Sequence, residues 1–343
     1  VYSVYFNQKE KIGFCLFFGE HMKRKVILDV DTGTDDSIAI GLALNNPNFE
    51  ILGITVTWGN QKVEDCTKNT LKVCHYFGRD DVKVYMGEHH QLDTAKRAEV
   101  VKVNPDGPIF YVDENGVEHN LHPKSFNLPE PLHGPEEKDA VSFVIDTLMN
   151  SDEKITIIPV GPTTNIGTAF KKCPEIKEHI EEIVFMGGSV GMGNVSPTAE
   201  ANFYNDPDSV HAIMQSGVKC TLLPLNATHA AALPMSDADE FEKNGSKGLK
   251  LLADVMRIRA DVSKHLGWHD GTHEIIHDAL AVAYLIDPSV VDKMERHKVD
   301  IDTSASIKYG TLILDGDTGN ENVDIAMHAD YKKFKKILIE YLK

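Results

Sequence analysis

The sequence predicts an α/β fold, a single domain whose mostly parallel central β-sheet is flanked by helices. Two observations carry that reading. From residue 26 onward, short runs rich in Val and Ile alternate with longer amphipathic stretches, the pattern of buried parallel strands joined by crossover helices. The 343 residues, 42% hydrophobic and 25% charged, are enough for one large core or two small ones. No internal repeat or low-complexity linker divides them, so one domain is the simpler count.

Taken in order, residues 26–30 read as a strand, 36–45 as a helix, 50–57 as a strand, 61–77 as a helix and 82–86 as a strand. The alternation resumes with helix 138–150, strand 155–160, helix 165–172, strand 183–186, helix 206–215 and strand 219–223. A helical region follows over 236–262, then a helix at 278–287, edge strands within 298–326 and a closing helix at 331–342. Between the two blocks, residues 93–131 are rich in Pro, Gly, Asn and charge. They predict a long loop or small hairpin, the kind of segment that serves as a lid or binding loop.

Residues 1–21 stand apart as an N-terminal extension. Lys23-Arg24-Lys25 before Val26-Ile27-Leu28 looks like the start of a first strand, which makes Met22 a plausible native beginning and 22–343 the domain. Lys9 and Lys11 precede a short apolar stretch, but a small-residue cleavage site is missing. No apolar run approaches the roughly 20 residues that span a bilayer. The five cysteines are odd in number and lack a CxxC pair, so they read as reduced thiols in a cytoplasmic protein. With 52 acidic against 35 basic side chains and a net charge of -17, the chain repels polyphosphate backbones, which excludes a nucleic-acid polymer as partner.

The strongest chemical signal is Asp29-Val30-Asp31-Thr32-Gly33-Thr34-Asp35-Asp36, four carboxylates where the first strand should end and the first helix begin. Ligands bind at that edge of open α/β sheets. Carboxylates this close repel unless a cation neutralises them, and all-oxygen ligands favour calcium or magnesium. Helix capping accounts for one or two of them, not four. An EF-hand loop does not fit, because Gly33, Thr34 and Ile40 stand where it needs Asp or Asn, Gly and Glu. A dehalogenase-type phosphatase motif fits Asp29 and Asp31 but meets Gly33 at its fifth position. The second Asp-x-Asp-Thr-Gly, at 315–319, reads as a hairpin turn.

The run resembles the opening DxDxxxDD signature of the inosine-uridine-preferring nucleoside hydrolase family, and the likeness extends over residues 26–290. Trp58-Gly59-Asn60 follows the second strand, and Val160-Gly161-Pro162-Thr163-Thr164-Asn165 follows a later one. Met186-Gly187-Gly188 leads into Gly193-Asn194 and Glu200-Ala201-Asn202, and His277-Asp278 closes the set. The resemblance implies a catalytic domain over 22–343 that hydrolyses the N-glycosidic bond of ribonucleosides to base and ribose. Asp31, Asp36, Asp278 and the carbonyl of Val160 would hold Ca2+, which the hydroxyls of the ribose complete. Asp35, Asn60, Met186, Asn194, Glu200, Asn202 and Asp278 would bind substrate, whose hydroxyls both donate and accept. Asp31 would take a proton from a metal-activated water that attacks C1′, and His277 would serve the departing base. The family also implies a homodimer or homotetramer.

Ordinary structural roles compete for several of these residues. Asn60 suits a turn, Asn165 reads as a helix cap, and Gly187-Gly188 suits a tight turn. His133-Gly134 resembles the family's loop over the base, although Pro135-Glu136-Glu137 do not continue it in the usual way. Residues 256–274 should lie over the nucleobase and offer Arg257, His265, Trp268, His269 and His273, with Trp268 able to stack or merely pack. Two other classes stand as alternatives: a magnesium-dependent dehalogenase-like phosphatase using Asp29 or Asp31, and a non-catalytic nucleoside-binding protein.

Overall fold

The computed structural model describes residues 23–103, 109–314 and 323–343. The extension 1–21 and the turn expected at 315–319 lie outside the described residues. Strand β1 (Arg24–Val30) leads through α1 (Thr34–Asn45) to β2 (Phe49–Val56), α2 (Val63–Tyr76) and β3 (Val84–Met86). An insertion follows, made of α3 (Thr94–Val103) and the hairpin β4 (Phe110–Val112) and β5 (Glu118–Asn120). The alternation resumes with α4 (Ala140–Met149), β6 (Ile155–Pro159), α5 (Thr164–Lys172) and β7 (Ile180–Met186). Next come α6 (Ala201–Asn205), α7 (Pro207–Met214), β8 (Cys220–Leu223) and α8 (Leu225–Ala230). The C-terminal third holds β9 (Leu233–Pro234), α9 (Ser236–Asn244), α10 (Lys247–His265), β10 (His273–Glu274) and α11 (His277–Ile286). It ends with β11 (Val291–His297), β12 (Val299–Ile301), β13 (Leu312–Leu314), β14 (Val323–Ala329) and α12 (Tyr331–Tyr341).

Eight strands form one sheet in the order β11-β14-β8-β7-β6-β1-β2-β3. All pair in parallel except β11, which runs antiparallel to β14 at the edge. Strand β1 is buried over Val26–Val30, as a strand with helices on both faces must be. Two apolar cores lie against the sheet. One gathers Val26, Leu28 and Val30 with Ile38, Leu42 and Leu280, and the other gathers Ile27, Ile157 and Phe185 with Ile166 and Val210. The chain leaves β1 toward β2 and β3 on one side, and β6, β7 and β8 build the other. The order therefore reverses between β1 and β6, and the carboxyl ends of strands at such a reversal are where open α/β sheets bind ligands.

Three expectations need correction. Residues 298–326 do not simply supply edge strands: β12 and β13 form a separate ribbon, whereas β14 lies inside the sheet between β8 and β11. Strand β11 was not anticipated, because Asp292, Lys293, Glu295 and Arg296 break any apolar pattern; an edge strand tolerates that, and its charges discourage pairing with another chain. The helical region at 236–262 is two helices parted at Gly245, whose φ of 86° ends α9 in the left-handed conformation. Among the described residues no helix is long and apolar enough to cross a membrane.

Candidate active site

The site begins in the turn between β1 and α1. Asp36, in the first turn of α1, folds back so that its carboxylate accepts from the backbone N–H of Asp31 (3.2 Å) and of Gly33 (2.8 Å). This satisfies donors that a helix start leaves free. Asn60, just beyond β2, donates its backbone N–H to Asp31 Oδ2 at 2.7 Å and its Nδ2 to Asp36 Oδ2 at 3.2 Å. Asp31 itself is wedged between two glycines. A Cβ on Gly59 would stand 2.1 Å from Asp31 Oδ2, and one on Gly161 would stand 2.5 Å from Oδ1. The Oδ1 atom is buried and has no hydrogen-bond partner.

Asp278, in the first turn of α11, closes the cluster. Carboxylate oxygens of Asp35, Asp36 and Asp278 lie within 4.8 Å of one another, the charge of Asp36 acts on Asp31, and the charge of Asp31 acts on Asp278. All four acids are buried. Burial, then the charge of Asp36, drives the carboxyl of Asp31 well above its usual range. Burial and then Asp35 push Asp36 up to about 7, and burial with the neighbouring acids raises Asp278 well above normal. Such a set is unfavourable without a counter-charge. Hard carboxylate oxygens, one of them orphaned, fit a divalent cation of the calcium or magnesium type. The carbonyl of Val160, one residue past β6, accepts from Asn202 Nδ2 at 2.8 Å, which leaves it a second lone pair.

The loops after β7 supply the amides and a further acid. Glu200 caps α6, accepting from the N–H of Gly188 (2.9 Å), Asn202 (2.8 Å) and Phe203 (3.2 Å); burial still pushes it to about 7. Asn202 also donates to the carbonyl of Met186 at 3.2 Å, so one side chain ties the ends of β6 and β7. Asn194 is exposed on the intervening loop and accepts from Ala201 N at 3.0 Å. His277 is half-buried, its Nδ1 2.9 Å from Thr228 Oγ1. Burial, then Arg259, lowers its pKa to about 3.

Two residues that the sequence did not single out belong to the same cluster. His122, at the end of the insertion, accepts from Thr34 N at 3.2 Å and lies 3.9 Å from Asp35; burial lowers its pKa to about 4. Arg259 of α10 donates from Nη1 to Asp35 Oδ1 at 2.8 Å and to Thr34 Oγ1 at 3.2 Å, and from Nε to Glu274 Oε1 at 3.4 Å. Burial alone would raise Asp35, but Arg259, with His122 and His277, outweighs it and holds that carboxyl below its usual range.

Not every expected residue arrives. His133 is exposed in a shallow groove beside Asp80, Val82 and Lys83, next to the start of β3 and so at the opposite sheet edge. Trp268 stands half exposed in the turn after α10. Arg257 faces outward to Asp239 and Glu242, and His265 stacks on Tyr111 of the insertion hairpin at 3.9 Å. Asn165 is no cap: it donates to Asp29 Oδ1 (2.8 Å) and to the Val56 carbonyl (3.1 Å), bracing β1 against β2. Asp29 is thus held inside the sheet by Asn165 and Thr55, and burial pushes it to about 7.

Residues 26–336 match the model of the inosine-uridine preferring nucleoside hydrolase family. The chain is 33% identical over 322 residues, 90% of its length and 94% of the relative's, to the pyrimidine-specific ribonucleoside hydrolase RihB of Escherichia coli (strain SE11). It superposes with a TM-score of 0.79 on a purine-preferring ribonucleoside hydrolase from Gardnerella vaginalis, 29% identical and covering 93% of this chain and 98% of that one. A plant nucleoside hydrolase superposes with a TM-score of 0.78 at 25% identity, covering 93% and 98%. The dehalogenase-like phosphatase and the non-catalytic binder gain no support from these relatives.

Proposed function

The chain belongs to the inosine-uridine preferring nucleoside hydrolase family, and we propose on that premise that it cleaves the N-glycosidic bond of ribonucleosides with a calcium ion in its acidic cluster. The observation that carries this reading is the meeting of Asp35, Asp36 and Asp278 oxygens beside the buried, unpartnered oxygen of Asp31. Asp31, Asp36, Asp278 and the carbonyl of Val160 would hold the ion, which when bound supplies an acidified water and an anchor for sugar hydroxyls.

The remaining chemistry belongs to side chains. Asn60 pins one oxygen of Asp31, so the other is left to take a proton from the attacking water, and burial suits it to that by raising its proton affinity. Cleavage builds positive charge on the ribose, and the surrounding carboxylates stabilise it with no reorganisation. Asn60, Asn194, Glu200 and Asn202 present the polar rim on which hydroxyls are held, with Asp35 among them. His277 and His122 are kept neutral by burial, so they serve the departing base as neutral hydrogen-bonding imidazoles. We also read the protein as a cytoplasmic homodimer or homotetramer; its described cysteines, Cys66, Cys74, Cys173 and Cys220, are free thiols, which suits a reducing compartment.

Ribose release from inosine, uridine, cytidine, adenosine and guanosine tests the reading and ranks the bases. Release is expected to require calcium, to stop on chelation, and to fall about 10²–10⁴-fold in Asp31→Ala. No release from any nucleoside by calcium-loaded wild type would sink it.

A further inference from the structure

Distance alone would admit Asp35 to the metal, since its carboxylate is within 4.8 Å of those of Asp36 and Asp278. What sets it apart is its partner. Asp31 and Asp36 are held by amide N–H groups, whereas Asp35 receives a guanidinium at 2.8 Å. Among the described residues, no other Lys or Arg is ion-paired with any of the four acids. That guanidinium is itself fixed. It is buried, its Nε reaches Glu274, and Glu274 is buried in turn with its second oxygen 3.3 Å from His269.

We propose that Arg259 is a positioning residue that withholds Asp35 from the metal and reserves it for the hydroxyls of the ribose. The physical case is short. A charge-assisted hydrogen bond occupies Asp35 Oδ1 and fixes the rotamer. The guanidinium charge also offsets the charge a cation would seek, so of two adjacent acids the metal favours Asp36. The remaining oxygen of Asp35 accepts from a hydroxyl instead. The inference rests on the hydrolase reading for its sugar half, while the metal half rests on the Arg259–Asp35 ion pair inside an acidic cluster whose oxygens fit a divalent cation.

The two halves together predict a split, calcium affinity that does not fall beside substrate affinity that does, which a merely structural role does not produce. In Arg259→Gln, Asp35 is released to the ion, so calcium affinity measured by titration calorimetry on chelator-stripped protein is expected to stay level or rise, up to about tenfold. KM for the best nucleoside is expected to rise about tenfold or more, with Arg259→Lys recovering part of it. Calcium affinity weakened about tenfold in a folded variant, or KM unchanged, overturns the proposal. Should Arg259→Gln fail to fold, Asp35→Asn decides: calcium affinity near wild type with raised KM supports it, and loss of about tenfold in calcium affinity shows Asp35 to be a ligand. A wild type that binds calcium but releases no ribose would sink the hydrolase reading and with it the sugar half, while the calorimetry still judges the metal half.

Discussion

Asp31 depends on what its neighbours lack. Gly161 lies against its unpartnered oxygen, and a Cβ there would come within 2.5 Å of Oδ1 and 2.8 Å of Cγ. Gly161→Ala must therefore push the carboxylate aside. Displacing a reacting group by a fraction of an ångström to an ångström costs about 10²-fold in rate, so kcat is expected to fall by that order with little change in melting temperature. A Gly161→Ala enzyme with wild-type kcat would show that the position of Asp31 is not critical. This acid was legible in the sequence because the cluster is contiguous, four carboxylates in eight residues. Arg259 and His122 were not, since they reach the turn from 224 and 88 residues away and nothing local marks them. His133 was favoured only for its following glycine, while His122, followed by proline, holds the place beside Asp35.

At the scale of elements, the brace behind the site depends on close packing. Helix α5 begins with Thr164 and Asn165, and its Gly167 faces Ser209 of α7, where a Cβ would meet Ser209 Cβ at 2.5 Å and its Cα at 2.7 Å. Thr163 and Ser209 share a hydrogen bond of 2.7 Å at the same contact. Gly167→Ala must part the helices, a cost of about 1–3 kcal/mol by analogy with overpacked cores. A lower urea midpoint with unchanged kcat of the folded fraction is expected; an unchanged midpoint would mean the helices separate freely. The alternation of strand and helix was readable because the central parallel strands are buried on both faces and so largely apolar, as β1 and β6 are. Strand β11 was hidden by its charges, and the place of β14 inside the sheet was hidden because sequence order does not state which strands become neighbours.

Across the whole molecule, the buried acids link stability to pH and metal. Asp29, Asp36 and Glu200 are raised to about 7 and Asp206 to about 6, burial being the chief cause in each. Without metal, the folded chain keeps protons on these four acids between about pH 4 and 7 that the unfolded chain has released, so they make stability fall as pH rises through that window. They outweigh the two histidines His122 and His277, whose lowered pKa values act the other way below about pH 6.5. Asp35 and Glu182, whose carboxyls are lowered, act in the opposite sense, and lose their contribution only at more acidic pH. Chelated protein is therefore expected to melt at lower temperature at about pH 8 than at about pH 5.5. Calcium should raise the melting temperature more at the higher pH, because the ion takes the place of protons. The net charge of -17 would produce a similar trend through surface repulsion, but salt separates the two. At 1 M salt the screening length is about 3 Å, which removes repulsion between exposed charges and leaves buried ones nearly untouched. The part of a pH difference that persists in high salt and vanishes with calcium belongs to the acidic cluster. The part that persists through both belongs to Asp29, Glu200 and Asp206, which do not hold the ion, and a difference that vanishes with salt alone belongs to the surface.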